Sequence, residues 1–247
     1  MAILSEEFER TGNWLFRWRS YLPLIMIALF LFSLNEYKYP GNSEKINHLW
    51  EVLCITISFF GLTIRVFTMG HVPKRTSGRN TRKQIAETLN TKGMYSLVRN
   101  PLYLGNFFVG LGIVFFFYKW WLIIIYILIF WLYYERIIFA EETYLINKFS
   151  KEYLKYANST PVFIPKLSKY QKPDLPFSLR NVLKREYNSF FLIILILFIL
   201  ETIGDLLVQG KFDFDLGWLL LLGIGFVVWF VLRSLRKYTT VLNVEGR

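Results

Sequence analysis

The chain has 247 residues, 54% hydrophobic and 19% aromatic, with a formal net charge of +11 at pH 7. One ordinary soluble domain would intersperse its apolar residues, but here most run in blocks of roughly 18 to 22, the length that crosses about 30 Å of hydrocarbon. The single Cys54 excludes an internal disulfide and any cysteine-based metal cluster, and His48 and His71 are too far apart in sequence to indicate a histidine metal site, so no metal is expected.

In chain order the apolar blocks are Tyr21–Leu34, Ile46–Met69, Pro101–Tyr118, Trp120–Ala140, Ser189–Val208 and Leu216–Leu232. The first is short unless Trp14–Trp18 extend it towards the interface. An acidic, arginine-containing segment precedes it and no small-residue cleavage site follows, so no cleavable signal peptide is expected. The pattern predicts an all-α, polytopic integral membrane bundle of about six transmembrane helices.

The basic residues are distributed by topology. Seven of the 29 Lys and Arg lie between Lys74 and Arg99, and nine between Lys148 and Arg185. The alternate loops hold only Lys38, Lys45, Lys119 and Lys211. This is the positive-inside bias, and with six spans it places both termini in the cytoplasm. Attraction to anionic head groups of the bilayer accompanies it. No nucleic-acid partner is expected, because there is no aromatic-basic binding module.

The loop from His71 to Asn100 opens with turn residues Pro73, Ser77 and Gly78 and closes at Gly93, and Thr81–Leu89 is expected to form a short helix. Blocks three and four are joined only around Lys119, which predicts a tight antiparallel hairpin. Gly105, Gly110 and Gly112 on block three remove bulk and favour close helix packing. Beyond Ala140, Leu145, Phe149, Tyr153 and Tyr156 recur at three- or four-residue spacing, so the helix continues as an amphipathic one until Asn158–Pro161. Pro165–Asn188 is polar, with three prolines, and reads as a linker.

Two polar clusters stand at the ends of the hairpin. Charge next to a membrane segment is costly and therefore informative. Block four ends in "YYERIIFAEETYL", which places Glu135, Arg136, Glu141 and Glu142 at the boundary; two adjacent acids on a positive-inside face suggest a bound cation, the alternative being an interfacial helix end solvated by head groups. Block three begins "KGMYSLVRNPLYLGN", where Pro101 suits the first helical turn and Asn100 a cap. The hairpin brings the two clusters together at the membrane surface.

The stretch "TKGMYSLVRNPLYLGN", the hairpin and "EETYLINKFSKEYLKY" followed by proline resemble the isoprenylcysteine carboxyl methyltransferase family, whose pattern is roughly G-x-Y-x-x-x-R-H-P-x-Y-x-G, an apolar hairpin, then E-E-x-x-L and F-G-x-x-Y-x-x-Y. Membrane phospholipid methyltransferases share this module. The resemblance covers about Thr88 to Pro165. It implies S-adenosylmethionine in a cytoplasm-facing pocket, with Tyr95, Asn100, Pro101, Leu102, Tyr103 and Glu141 at cofactor positions and the backbone of Glu87, Thr88, Leu89 and Asn90 at another. Three positions depart from the pattern. Asn100 replaces the histidine of R-H-P, Ile137 replaces an acceptor-side arginine four residues before the first glutamate, and Ser150 replaces the glycine of F-G.

An anionic acceptor needs no general base, and Arg99 or Arg136 would orient it; an amine would need one, for which Glu135 or Glu142 is available. The composition, rich in Phe, Ile, Lys and Asn, looks bacterial and disfavours a prenylated protein as substrate. The expected reaction is O-methylation of a membrane-lipid head-group phosphate in a bacterial inner membrane, with lipid A 1-phosphate the favoured example. The expected catalytic residues are Arg99, Arg136 and Glu142. The alternatives are a prenylcysteine carboxylate, a phospholipid amine, an NADPH-dependent membrane reductase and a non-enzymatic scaffold. The expected units are an N-terminal pair (1–70), a methyltransferase module (71–165), a linker (166–188) and a C-terminal pair with tail (189–247).

Overall fold

The computed structural model describes residues 3–19, 30, 33–34, 37–74, 76, 84–212 and 214–247, and all regular structure among them is helical. In chain order the α-helices are α1 (Leu4–Trp18), α2 (Glu44–His71), α3 (Met94–Leu97), α4 (Pro101–Phe115), α5 (Trp120–Phe149), α6 (Lys151–Ser159), α7 (Leu179–Gln209) and α8 (Leu216–Tyr238), with short 3-10 turns at Pro40–Asn42 and Leu167–Lys169. Four of them, α2, α5, α7 and α8, are long and apolar enough to cross a membrane. α4 is apolar but has only 15 residues, about 22 Å at 1.5 Å per residue. The chain is an integral membrane helical bundle. The expected first crossing, Tyr21–Leu34, lies outside the described residues except for Phe30, Ser33 and Leu34.

Local chemistry sets the helix ends. α2 stops at His71 because Val72, which precedes Pro73, is extended. Pro101 opens α4 at a position that needs no N–H donor. Ser178 caps α7, Gly210 ends it in the left-handed region at φ 71°, and Asp215 caps α8. Two expectations need correction here. Gln84–Leu89, the described part of the expected loop helix, is not helical; an isolated stretch of that length lacks the packing that stabilises a short helix. The supposed linker is helical from Leu179 onwards, because α7 extends beyond the membrane-length apolar run and buries Asn181, Val182, Glu186 and Tyr187.

α2 lies at the centre, between α4 and α7, and α8 packs on α7. α2 and α4 approach at glycines: a Cβ on Gly61 would come within 2.5 Å of the Gly105 carbonyl oxygen, and one on Gly112 within 2.5 Å of the Cys54 carbonyl oxygen. Gly105 and Gly112 therefore serve helix packing. The expected tight α4–α5 hairpin is looser than its short link implies. Gly110 faces α5, but its space is taken by the Tyr126 hydroxyl, which donates to the Phe107 carbonyl at 2.8 Å. Rings line the rest of that interface, with Phe107 against Phe130 at 5.1 Å and Tyr103 against Tyr134 at 4.5 Å. α5 instead leans on α1, where Gly12 lies against the Arg136 carbonyl.

At the end of the bundle away from Glu141, buried Glu51 accepts from Asn47 at 2.6 Å and from the Trp218 indole at 3.1 Å, which ties α2 to α8. A buried carboxylate satisfied in this way serves as a packing device.

Candidate functional site

The site is built where α4 begins and α5 ends. Between Gly93 and Pro101 the chain runs beside the segment that returns after α6: the Arg99 amide donates to the Pro161 carbonyl at 2.9 Å, and the Lys166 amide to the Leu97 carbonyl at 3.0 Å. Asn100 occupies the N-cap position of α4 without a capping hydrogen bond; its side-chain amide donates instead to the Val162 carbonyl at 3.2 Å. Asn100 therefore fastens the returning segment.

Each of the adjacent acids has its own arginine. Glu142 pairs with Arg99 at 3.0 Å, and both side chains are largely buried. Glu141 accepts from the Tyr103 hydroxyl at 2.8 Å and pairs with Arg19 at 3.5 Å, and Arg19 also reaches the Tyr103 hydroxyl at 3.3 Å. The cation expected beside the two acids is thus supplied within the chain. Arg99 Nε is buried without a hydrogen-bond partner among the described residues. Such an atom is costly unless a ligand or water completes it.

Tyr153 closes this side, its hydroxyl in polar contact with both Arg99 and Glu142. Burial, reinforced by the Glu142 charge, pushes its phenol well above the ordinary value. Burial likewise raises the Tyr156 phenol, which donates to the Tyr95 carbonyl at 2.8 Å. Tyr153 reaches the site because α5 breaks at Ser150, whose φ of 46° is the conformation that favours glycine. The expected continuous helix is therefore two helices, and Ser150 bears the turn.

The structure thus brings Arg99, Tyr103, Glu141 and Glu142 together, with Asn100 and Pro101 beside them and Tyr95 tied to α6. Leu102 is half-buried on the first turn of α4. Arg136 points elsewhere: it donates to the Thr11 hydroxyl at 3.2 Å and stacks over the Phe8 ring at 4.4 Å, both on α1. Ile137 is fully buried in the aromatic cluster between α4 and α5. Glu87 and Thr88 are exposed, Leu89 and Asn90 half-buried, and Gln84 just before them donates to Asn13 of α1 at 3.3 Å. No hydrogen bond or ion pair among the described residues joins Thr88, Leu89 or Asn90 to the two acids. Sequence reasoning did not single out Arg19, and it used Tyr153 in the helix periodicity and in the tail of the family pattern without placing it at the site. An open depression of about 610 Å³ adjoins Arg99, with Asn158, Thr160, Val162, Lys166 and Lys169 on its walls.

Residues 51–152 match the family model for phospholipid methyltransferases. The protein-S-isoprenylcysteine O-methyltransferase of Saccharomyces cerevisiae is 33% identical over 141 residues, 57% of this chain and 58% of that protein. Its counterpart in Xenopus laevis is 30% identical over 140 residues, 54% of this chain and 46% of that one. The cobalt-zinc-cadmium resistance protein CzcN of Cupriavidus metallidurans is 32% identical over 159 residues, 64% of this chain and 69% of that protein. The chain belongs to the isoprenylcysteine methyltransferase-like family. The matched residues 51–152 include the Arg-Asn-Pro step and the two acids, and the chain spans little more than half the length of the yeast relative. No solved structure matches the chain.

Proposed function

We propose that this protein is an S-adenosylmethionine-dependent methyltransferase whose acceptor is an anionic group on a membrane-embedded, apolar molecule. The observation that carries the reading is the pair of arginine–glutamate contacts at the mouth of the α4–α5 hairpin, of which Arg99, Glu141 and Glu142 lie within the residues matched by the family model and Arg19 at the end of α1 lies before them. The donor set fits the cofactor. Glu141 has Oε1 engaged by Tyr103 and Arg19, which leaves Oε2 for a ribose hydroxyl or an ammonium group. Tyr95, Asn100, Pro101, Leu102 and Tyr103 would form the adjoining wall, with the Glu87–Asn90 backbone opposite. The cofactor supplies, when bound, an electrophilic methyl group on a sulfonium centre.

The chain's own residues orient the acceptor and exclude water. Arg99 presents a guanidinium with one nitrogen unpartnered, a donor for a carboxylate or phosphate. Such an anion is already nucleophilic and needs no base. Lys166 and Lys169 beside Arg99 extend the positive field along the depression. A phospholipid amine would need Glu142 as base, and that carboxylate is already paired with Arg99 at 3.0 Å. A head-group phosphate such as lipid A 1-phosphate and the carboxylate of a prenylcysteine present the same chemistry to Arg99. Arg136, held by α1, takes no part in this reading. The positive-inside bias supports a cytoplasm-facing site in an inner membrane.

Calorimetry on detergent-purified protein tests the reading. S-adenosylmethionine should bind and NADPH should not, and Glu141→Gln should weaken S-adenosylmethionine binding about tenfold or more, in line with the loss of charged hydrogen bonds. A radiolabelled-methyl screen over lipid phosphates and prenylcysteines then identifies the acceptor. Absence of S-adenosylmethionine binding to the wild type in lipid nanodiscs overturns the proposal.

A further inference from the structure

A second polar chain runs through the bundle towards the same site. Arg65 lies inside α2, where a charge is expensive unless it is paired. Its Nε and Nη2 donate to the two carboxylate oxygens of Glu186 on α7, at 2.9 and 3.0 Å, and the two side chains are 18% and 5% exposed. Its remaining nitrogen, Nη1, donates to the Asn106 side-chain oxygen on α4. That contact settles which way the Asn106 amide faces, because an oxygen bound to Arg65 leaves the NH₂ group directed at α5. The NH₂ group donates to the Tyr134 hydroxyl at 3.1 Å. The Tyr134 ring packs against Tyr103 at 4.5 Å, and Tyr103 donates to Glu141 at 2.8 Å. Four helices are joined in this order: α7, α2, α4, α5.

A structural tie between α2 and α7 needs no more than apolar packing, which Phe59 and Phe190 already supply. The ion pair does something that packing cannot: it fixes an amide orientation next to the Tyr103–Glu141 contact. Glu186 lies beyond residues 51–152, which the family model matches, on the helix α7 that follows them.

We propose that Glu186, Arg65, Asn106 and Tyr134 are positioning residues that hold Tyr103 and Glu141 in their cofactor-binding arrangement, and that the C-terminal helix pair serves the site through Glu186. This deepens the methyltransferase reading and rests on it. None of the four needs to touch the substrate or the cofactor. Rigid placement of a binding carboxylate is the effect such a surrounding shell exerts.

The test measures S-adenosylmethionine affinity by calorimetry and thermal unfolding in parallel on full-length protein in detergent, wild type first. If the wild type does not bind, the methyltransferase reading fails and the inference falls with it. With binding established, Tyr134→Phe, which removes one hydroxyl and keeps the ring, should lower affinity about fivefold and leave the unfolding temperature close to wild type. Glu186→Gln should lower affinity at least tenfold, and Glu186→Asp should recover part of it. The double variant Arg65→Met with Glu186→Met removes both buried charges, so it should regain the stability lost in either single variant without regaining affinity. Wild-type affinity in both Tyr134→Phe and the double variant would reduce the chain to a helix fastener and overturn the inference. If Glu186→Gln does not fold, those two variants still decide the question.

Discussion

α4 has two faces, and they are built on opposite principles. Towards α2 its glycines admit backbone against backbone, and Ser58 and Trp50 add hydrogen bonds directly to the carbonyls of Val109 and Phe115. Towards α5 a layer of rings separates the helices, with Phe163 of the returning segment added to it, 5.8 Å from Phe107 and 6.0 Å from Phe130. The first interface is a scaffold, in which dense packing admits polar side chains only where they are hydrogen-bonded, as Ser58, Trp50 and Arg65 are. The second opens at one end into a cluster of two arginines, two glutamates and two tyrosines. Close packing gives rigidity, and a site needs space that only a wider spacing provides.

The comparison can be broken at its tight face with the largest effect. Gly112→Leu places a side chain where even a Cβ meets the Cys54 carbonyl oxygen and the Ser58 amide nitrogen, both backbone atoms. It should destabilise the protein by about 3 kcal/mol, the upper end for overpacking, read as a lower unfolding temperature in detergent. Breaking the open face should affect activity before stability. Arg99→Ala should lower methyl transfer about a hundredfold, since a misplaced acceptor costs that much, while S-adenosylmethionine affinity changes little. An equal loss of both would make Arg99 a cofactor residue rather than an acceptor one.

Smaller effects sharpen the contrast. Ser150→Gly relieves a serine at φ 46° and should stabilise the chain by about 1 kcal/mol without loss of binding, provided the α5–α6 turn is otherwise unchanged. Gly110→Ala should be nearly neutral. The clashing group is the end of the Tyr126 side chain, whose hydrogen bond is worth about 1 kcal/mol net, and alanine recovers about as much in helix propensity. Gly110 and Gly112 lie two positions apart on one helix, so the same measurement on both separates the two faces. A large loss at Gly110 would show that the ring layer is as unyielding as the glycine seam.

Much of the architecture was legible without coordinates. Hydropathy located α2, α4, α5, α7 and α8, because membrane insertion selects for apolar length along the chain itself. The Arg-Asn-Pro step and the Glu-Glu pair stood out as polar groups against apolar runs, and the structure indeed brings them into contact. The misjudged elements share a cause. The supposed helix before Asn90 and the supposed linker before Asn188 were read from local composition, yet packing decided both. Asn181 and Glu186 look like loop residues in a polar stretch until α2 supplies their partners, the Met69 carbonyl and Arg65.

The sequence by itself determined where the chain enters and leaves the apolar phase and which segments carry costly charge there, since both follow from transfer free energies along the backbone. The tertiary structure alone decided the pairing of those charges. Arg19 lies 122 positions from Glu141, and Arg65 lies 121 from Glu186. Arg136, adjacent in sequence to the face that holds Glu142, turns to α1 instead. Spacing along the chain cannot set such pairs, because a buried charge is stabilised by whichever opposite charge the packed helices bring within about 4 Å.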